Sequence, residues 1–347
     1  MPIPRKTFLA STSALSLSAL LAACGGKGGD GGSASGSSAD SAPGTVTHAL
    51  GITELPASVE RIATVNWANQ DVPLALGIMP GGIAKQVFGV EDGSGMLPWT
   101  KARVDELVAG GATAPVLFDE TDGIAFEAIA DTKPDVILGA YSGMTQEDYN
   151  RLSEIAPTIA YPKAAWVTPW REMITMDATA IGKKAEGEAL IADLESSIAA
   201  ETAKHAQLAG KNAAFFYMSD GDASSIGFYT TGDPRTAFME DLGLAIPESV
   251  RKQAEADPTT FSYNLSAENA DMVNDVDIMV MYGTEADLPT LQADALIGTI
   301  PAVKNGAIAF VGNGSALSAS TNPGPLSLPW GLADYVALIA AAADKVQ

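Results

Sequence analysis

Residues 125–162 read AFEAIADTKPDVILGAYSGMTQEDYNRLSEIAPTIAYP. Pro134-Asp135-Val136-Ile137-Leu138-Gly139 is a short apolar run with turn residues at both ends, the pattern of a strand buried on both faces. Thr145 to Ile155 has helical character, and Pro157 ends it. Thr158-Ile159-Ala160-Tyr161 is another strand. Strand, helix and strand in so short a space imply mostly parallel sheet.

The same rhythm extends outward. Arg61-Ile62-Ala63-Thr64-Val65 reads as a first strand, and Val72 to Leu76 as a helix stopped by Gly77. Beyond Tyr161 the rhythm breaks. Trp170 to Ile181 reads as one helix and Lys184 to Leu208 as a longer one, with Leu190, Leu194 and Ile198 on one stripe and Ala209-Gly210 as its stop. Strands then return at Ala213–Tyr217, Asp277–Tyr282 and Ala307–Val311, with a last helix from about Leu332 to Ala342. The predicted fold is α/β: two Rossmann-like lobes, 46–183 and 209–347, joined by one long α-helix, 184–208. Open α/β sheets place ligands outside the carboxyl ends of their strands, so two facing lobes make a ligand cleft.

The N-terminus has another character. Arg5 and Lys6 precede an uncharged apolar stretch from Phe8 to Ala23, the form of a signal peptide over residues 1–23. Its end, Leu21-Ala22-Ala23-Cys24, resembles a bacterial lipobox, and Cys24 is the chain's single cysteine. Lipidation is expected at Cys24. Residues 24–45, rich in Gly, Ser, Ala and Asp, read as a flexible tether. About twenty such residues span roughly 25 Å. Gly26 to Gly31 matches G-x-G-x-x-G, but no strand precedes it and no helix follows, so the nucleotide-loop reading fails.

Composition narrows the function. The full chain has 347 residues and a net charge of −22. Losing residues 1–23 removes two bases and no acid, leaving 18 basic against 42 acidic residues, a balance of −24. That argues against nucleic-acid binding. His48 and His205 are the two histidines, without ligand partners at useful spacing, so no protein-held metal is expected. Neither a G-x-S-x-G elbow nor a Cys–His pair suggests nucleophilic catalysis.

Six segments carry a more specific resemblance: ERIATVNWANQDVPLALGIMPGGIA (60–84), the opening stretch 125–162, WVTPWRE (166–172), YTTGDPRTAFMEDLGL (229–244), LSAENADMVNDVDIMVMYG (265–283) and IPAVKNGAIAFV (300–311). In this order the chain resembles substrate-binding lipoproteins of ABC importers for ferric siderophores, a class that also serves cobalamin and haem. The resemblance implies two Rossmann-like lobes with a connecting helix and little hinge motion. It implies a monomer without enzymatic activity or intrinsic cofactor, in which iron arrives already chelated. The partners implied are an ABC permease with its ATPase and, through the lipid, the outer face of the cytoplasmic membrane, whether cell surface or periplasmic side.

Candidate ligand residues stand where strands end: Asn66 and Trp67, Tyr141 and Ser142, Tyr217 and Met218, and Tyr282. Aromatics there suit a bulky chelate, giving large contact area with a polar tip. Trp99 lies in a loop and is also a candidate, whereas Trp330, among leucines, reads as core. Arg171 and Arg235 match positions where relatives carry a basic side chain near the cleft, and an Arg fork suits oxygen-rich groups. The scarcity of arginine leans toward hydroxamate or mixed siderophores over a triply negative catecholate. The resemblance also carries permease docking to Glu127 and Glu268, each in a helix's opening turn, where the helix dipole favours acids in any case. The alternative within the class is haem or cobalamin, with Tyr141 or Tyr282 able to serve as a haem axial ligand. More distant alternatives are an exported hydrolase using carboxylates such as Asp220 and Asp222, or a structural surface lipoprotein.

Overall fold

The computed structural model describes residues 44–218 and 225–347. The expected signal peptide, Cys24, nearly all of the tether and the pair Asp220 and Asp222 lie outside the described residues.

A hairpin of β1 (Thr45–His48) and β2 (Gly51–Glu54) opens the fold. Strand β1 begins within the range expected for the tether, because Val46 and His48 alternate inward and are buried. The first large sheet holds β3 (Ile62–Thr64), β4 (Gly82–Ala84), β5 (Val116–Phe118), β6 (Val136–Leu138) and β7 (Thr158–Ile159). Its order is β5-β4-β3-β6-β7 and every pairing is parallel. The second holds β8 (Ala213–Met218), β9 (Ser225–Tyr229), β10 (Ser262–Ser266), β11 (Ile278–Met281) and β12 (Ile308–Phe310). Its order is β10-β9-β8-β11-β12, with β8, β11 and β12 parallel and β9 and β10 antiparallel.

The central strands are buried on both faces, as parallel sheets require: Val136, Ile137 and Leu138 in β6, and Ala213 to Phe216 in β8, are fully covered. The helix after β6 starts through a capping box. Thr145 Oγ1 accepts from the Asp148 N–H at 3.1 Å, and the Thr145 N–H donates to Asp148 Oδ2 at 2.9 Å.

Helix Trp170–Ala180 packs on helix Lys184–Thr202, which also packs on the last helix, Ser327–Ala343. The connecting helix is shorter than its sequence suggests. It ends at Thr202, and a separate 3-10 turn, Ala206–Leu208, buries Leu208. His205 caps that turn rather than standing on the helix. One apolar cluster runs through both lobes, from Val136 and Leu138 through Trp170, Ile174, Leu194 and Ile198 to Phe215, Val280 and Val336.

Candidate functional site

In the first sheet the strand order changes direction at β3, which lies between β4 and β6. The crevice at such a switch point opens at the carboxyl ends of β3 and β6, where the sequence continues as Asn66-Trp67 and Tyr141-Ser142. One buried amide joins the two loops. Asn69 Oδ1 accepts from the Tyr141 N–H at 2.9 Å, and its Nδ2 donates to the carbonyls of Val65 at 2.8 Å and Tyr141 at 2.9 Å. Asn66 lies in the left-handed region (φ 59°), which Asn tolerates better than most residues. Its backbone N–H and Nδ2 both donate to Glu120 Oε2 at 2.9 Å, and its Oδ1 accepts from the Gly143 N–H at 3.0 Å.

These loops face the second sheet across a cavity of about 280 Å³ lined by Trp67, Phe88, Tyr141, Trp166, Arg235, Phe261, Tyr282, Ser318, Ala319 and Asn322. Its wall is a run of aromatic contacts: Trp67 to Phe88 at 6.4 Å, Phe88 to Tyr282 at 6.0 Å, and Tyr282 to Phe215 at 4.8 Å. Trp166 stands edge-on to Tyr141 at 5.3 Å. Gly143 makes that placement possible, because a Cβ there would sit 2.4 Å from the Trp166 indole nitrogen.

Arg235 is the polar centre. Its Nε and Nη2 donate to the two oxygens of Asp233 at 2.8 and 2.6 Å, Nη1 donates to the Tyr282 hydroxyl at 2.8 Å, and the guanidinium lies 3.6 Å from the Tyr229 ring centre. Asp233 is fully buried and caps helix Pro234–Asp241 by accepting from the Arg235 N–H. Burial disfavours the Arg235 charge most, but the Asp233 carboxylate together with the Tyr282 and Tyr141 phenols outweighs it and holds the guanidinium well above its ordinary range. Burial pushes the phenols of Tyr141 and Tyr229 up, so both stay protonated. The Tyr141 hydroxyl accepts from Asn322 Nδ2 at 3.0 Å, a hydrogen bond across the cleft. A second groove of about 350 Å³ shares Trp67, Phe88 and Trp166 with this cavity and adds Asn66, Lys85, Gln86, Glu120 and Thr121.

Of the sequence candidates, Trp67, Tyr141, Arg235 and Tyr282 line the cavity, and Asn66 lines the adjoining groove. The others are placed elsewhere. Ser142 is fully buried behind the loop, and its hydroxyl has no hydrogen-bond partner among the described residues. Trp99 is buried in a separate cluster with Leu97 and Ala319, and its indole N–H donates to Asp71 Oδ2 at 2.8 Å. Trp330, expected in the core, is 44% exposed and covers Trp99 at 5.2 Å. Arg171 is held by two carboxylates, Asp241 at 2.9 Å and Glu195 at 2.6 Å, and stacks on Trp170. Tyr217 lies over Gly227 and donates to Asn264 Oδ1 at 3.0 Å, and Met218, which follows it on β8, is half-buried outside the cavity lining.

The sequence reading missed Phe88, Trp166, Phe261, Ser318, Ala319 and Asn322. Trp166 had a usable signal, since it opens one of the six resembling segments and follows a strand that ends near Tyr161. His48 is buried against Thr53 and Tyr149. Glu127 and Glu268 are exposed in the opening turns of their helices. Among the described residues, no group of three or more His, Cys, Asp or Glu side chains is placed to hold a metal ion, and no helix is long and apolar enough to cross a membrane.

Comparison with known proteins agrees with this architecture. PiaA from Streptococcus pneumoniae TIGR4, solved in complex with ferrichrome, is 42% identical, with 87% of this chain and 99% of that one covered and a TM-score of 0.83. A periplasmic solute binding protein from Mycobacterium smegmatis str. MC2 155 is 25% identical, with 87% and 99% covered and a TM-score of 0.68. The probable siderophore-binding lipoprotein YfiY of Bacillus subtilis (strain 168) is 29% identical over 254 residues, 70% of each chain. The family model described as periplasmic binding protein matches residues 62–313, most of the described fold, and the chain belongs to that family.

Proposed function

We propose that this protein captures a ferric siderophore of the hydroxamate type outside the cytoplasmic membrane and delivers it unaltered to an ABC permease. The observation that carries the ligand class is the charge state of the cavity. Its lining includes one basic side chain, Arg235, already neutralised by Asp233 at 2.6 Å. A triply negative catecholate chelate would enter with almost nothing to balance its charge, and an uncompensated buried charge is costly. A near-neutral ferric hydroxamate meets no such penalty. It can stack on Trp67, Trp166 and Phe88 while Arg235 and the tyrosine hydroxyls supply donors. The ferrichrome bound in the solved relative supports the same class.

Haem ligation through Tyr141 fits less well, because it would need the phenolate and burial holds that phenol up; the other candidate ligand, Tyr282, has its hydroxyl engaged by Arg235 at 2.8 Å. The cavity residues serve recognition, and the protein acts as a non-enzymatic carrier. Attachment through a lipid on Cys24, a monomeric state, and docking through Glu127 and Glu268 belong to the same reading. The exposure of both glutamates supports the last of these.

Titration of the soluble form, begun after Cys24, tests it. Because Trp67 and Trp166 line the cavity, a bound ferric chelate should quench tryptophan fluorescence. Saturable quenching by a ferric trihydroxamate at sub-micromolar concentration is the expected result. Preference for a tricatecholate, haem or cobalamin would refute the ligand class, and no saturable response to any of them would refute the function.

A further inference from the structure

We propose that Glu120 receives a cationic, ammonium-bearing arm of the chelate, in the groove that adjoins the main cavity; the inference rests on the siderophore reading above. Glu120 lines both the 350 Å³ groove and a further one of about 220 Å³, and Trp166 lines these two and the main cavity. A chelate seated against Trp166 therefore has its periphery beside this carboxylate.

The carboxylate is built into the wall. Oε2 is fixed by both donors of Asn66, and Gln86 Nε2 braces Asn66 by donating to its carbonyl at 3.0 Å. Oε1 is sheltered from solvent and has no hydrogen-bond partner among the described residues. A buried carboxylate with a partnerless oxygen is costly, and a cation in the grooves that Glu120 lines offsets it through space without having to reach the sheltered oxygen. The surroundings keep the local charge negative. Lys85 is paired with Asp119 at 3.3 Å, and Asp148 lines the smaller groove. Burial pushes the Glu120 carboxyl up, against the two Asn66 hydrogen bonds, and a cation alongside would draw it back down. Charge selection thus falls to this groove, because Arg235 and Asp233 cancel within the main cavity.

The test uses one iron centre with two ends: a linear ferric trihydroxamate bearing a terminal primary ammonium, and the same chelate with that amine acetylated. Each is titrated by tryptophan fluorescence into the wild type and Glu120→Gln, with a cyclic neutral ferric trihydroxamate as reference. The wild type should bind the ammonium form at least tenfold more tightly. Glu120→Gln should reduce that preference to within about twofold. Equal binding of both ends by the wild type, or a preference that survives in Glu120→Gln, overturns the inference. If the cyclic chelate binds and neither linear one does, the inference falls and the hydroxamate reading stands; if none binds, both fall.

Discussion

Replacing Arg235 by Leu should cost far more stability than the loss of one side chain, and a second substitution should restore part of it. Arg235 and Asp233 share two hydrogen bonds, at 2.8 and 2.6 Å, and their side chains are 14% and 0% exposed. Removing the guanidinium leaves the Asp233 carboxylate buried, with the Arg235 backbone N–H as its remaining donor among the described residues. Breaking a buried pair from one side costs about 3–5 kcal/mol, most of it from the stranded charge. Asp233→Asn removes that charge and keeps the side-chain oxygen that caps the helix. The double variant should therefore lie about 1.5–3 kcal/mol above the value expected if the two single losses added. The assay is urea denaturation of all four proteins at one pH, with the slope checked for constancy. An Arg235→Leu protein as stable as the wild type would refute the argument, as would a double variant that is merely additive, because either would mean that the pair carries no coupled burial.

Two further outcomes follow from the same geometry. Gly143→Ala should displace Trp166, because the new Cβ would meet its indole nitrogen at 2.4 Å; we expect at least tenfold weaker chelate binding with a stability loss of only about 1–2 kcal/mol, read by titration and denaturation of the same sample. Stability should also fall as pH rises from about 4 to 7. Burial raises the Asp71 carboxyl to about 7 against hydrogen bonds from Thr100, Trp99 and Gln70, and raises Asp177 well above its ordinary range against a backbone contact from Ala140. The folded state then holds protons that the unfolded chain, with carboxyls near 3.9, has released, so each such group lowers stability by up to about 1.4 kcal/mol per pH unit in that window. Denaturation midpoints that rise between pH 4.5 and 7, or an Asp71→Asn/Asp177→Asn protein with the same slope as the wild type, would contradict this.

What was legible in the sequence is what burial writes into it. Strands β3, β6, β7, β8, β11 and β12 sit inside their sheets or pair with strands that do, and their residues form apolar runs bounded by turns. Strands β4 and β5 escaped because their apolar runs stop at the strand itself: Gly-Ile-Ala follows Pro80-Gly81 and meets Lys85, and Val-Leu-Phe stands between Pro115 and Asp119, so both merge with the turns around them. β9 and β10 form the antiparallel edge, where polar residues interrupt the run. The site divides in the same way. Trp67, Tyr141 and Tyr282 follow strands that could be read, whereas Phe88 follows β4, which could not. Arg171 and Arg235 look equivalent in sequence, each just inside a helix. Only the tertiary positions of Asp241 and Glu195 decide that Arg171 is held outside the cavity while Arg235 turns into it. Tyr217 illustrates the limit within a single strand. Its place at a strand end suggested the cleft, but pairing with Gly227 on β9 leaves a gap in the sheet surface that its ring fills.

The seam between the lobes bears on how a ligand could reach the cavity. Phe88, Val90, Leu97 and Trp99 from the first lobe meet Ala319, Leu326 and Trp330 from the second, and the Gly89 N–H donates to the Gly314 carbonyl at 3.2 Å. On the other side, helices Trp170–Ala180 and Lys184–Thr202 carry the apolar core from one sheet to the other without interruption. Parting the lobes widely would break both. Each 100 Å² of apolar surface returned to water costs about 2.5 kcal/mol, and the two tryptophans alone carry 150–250 Å² apiece. A large hinge opening would therefore draw on much of the 5–15 kcal/mol that usually stabilises a domain. Small motions face no such barrier. The Tyr141–Asn322 hydrogen bond and the Phe88–Tyr282 edge contact are a polar and a ring link across the cleft within the cavity lining. Loosening these two costs only about 1–3 kcal/mol, which a stacked chelate can return, so admission by local rearrangement around Phe88 is the inexpensive route.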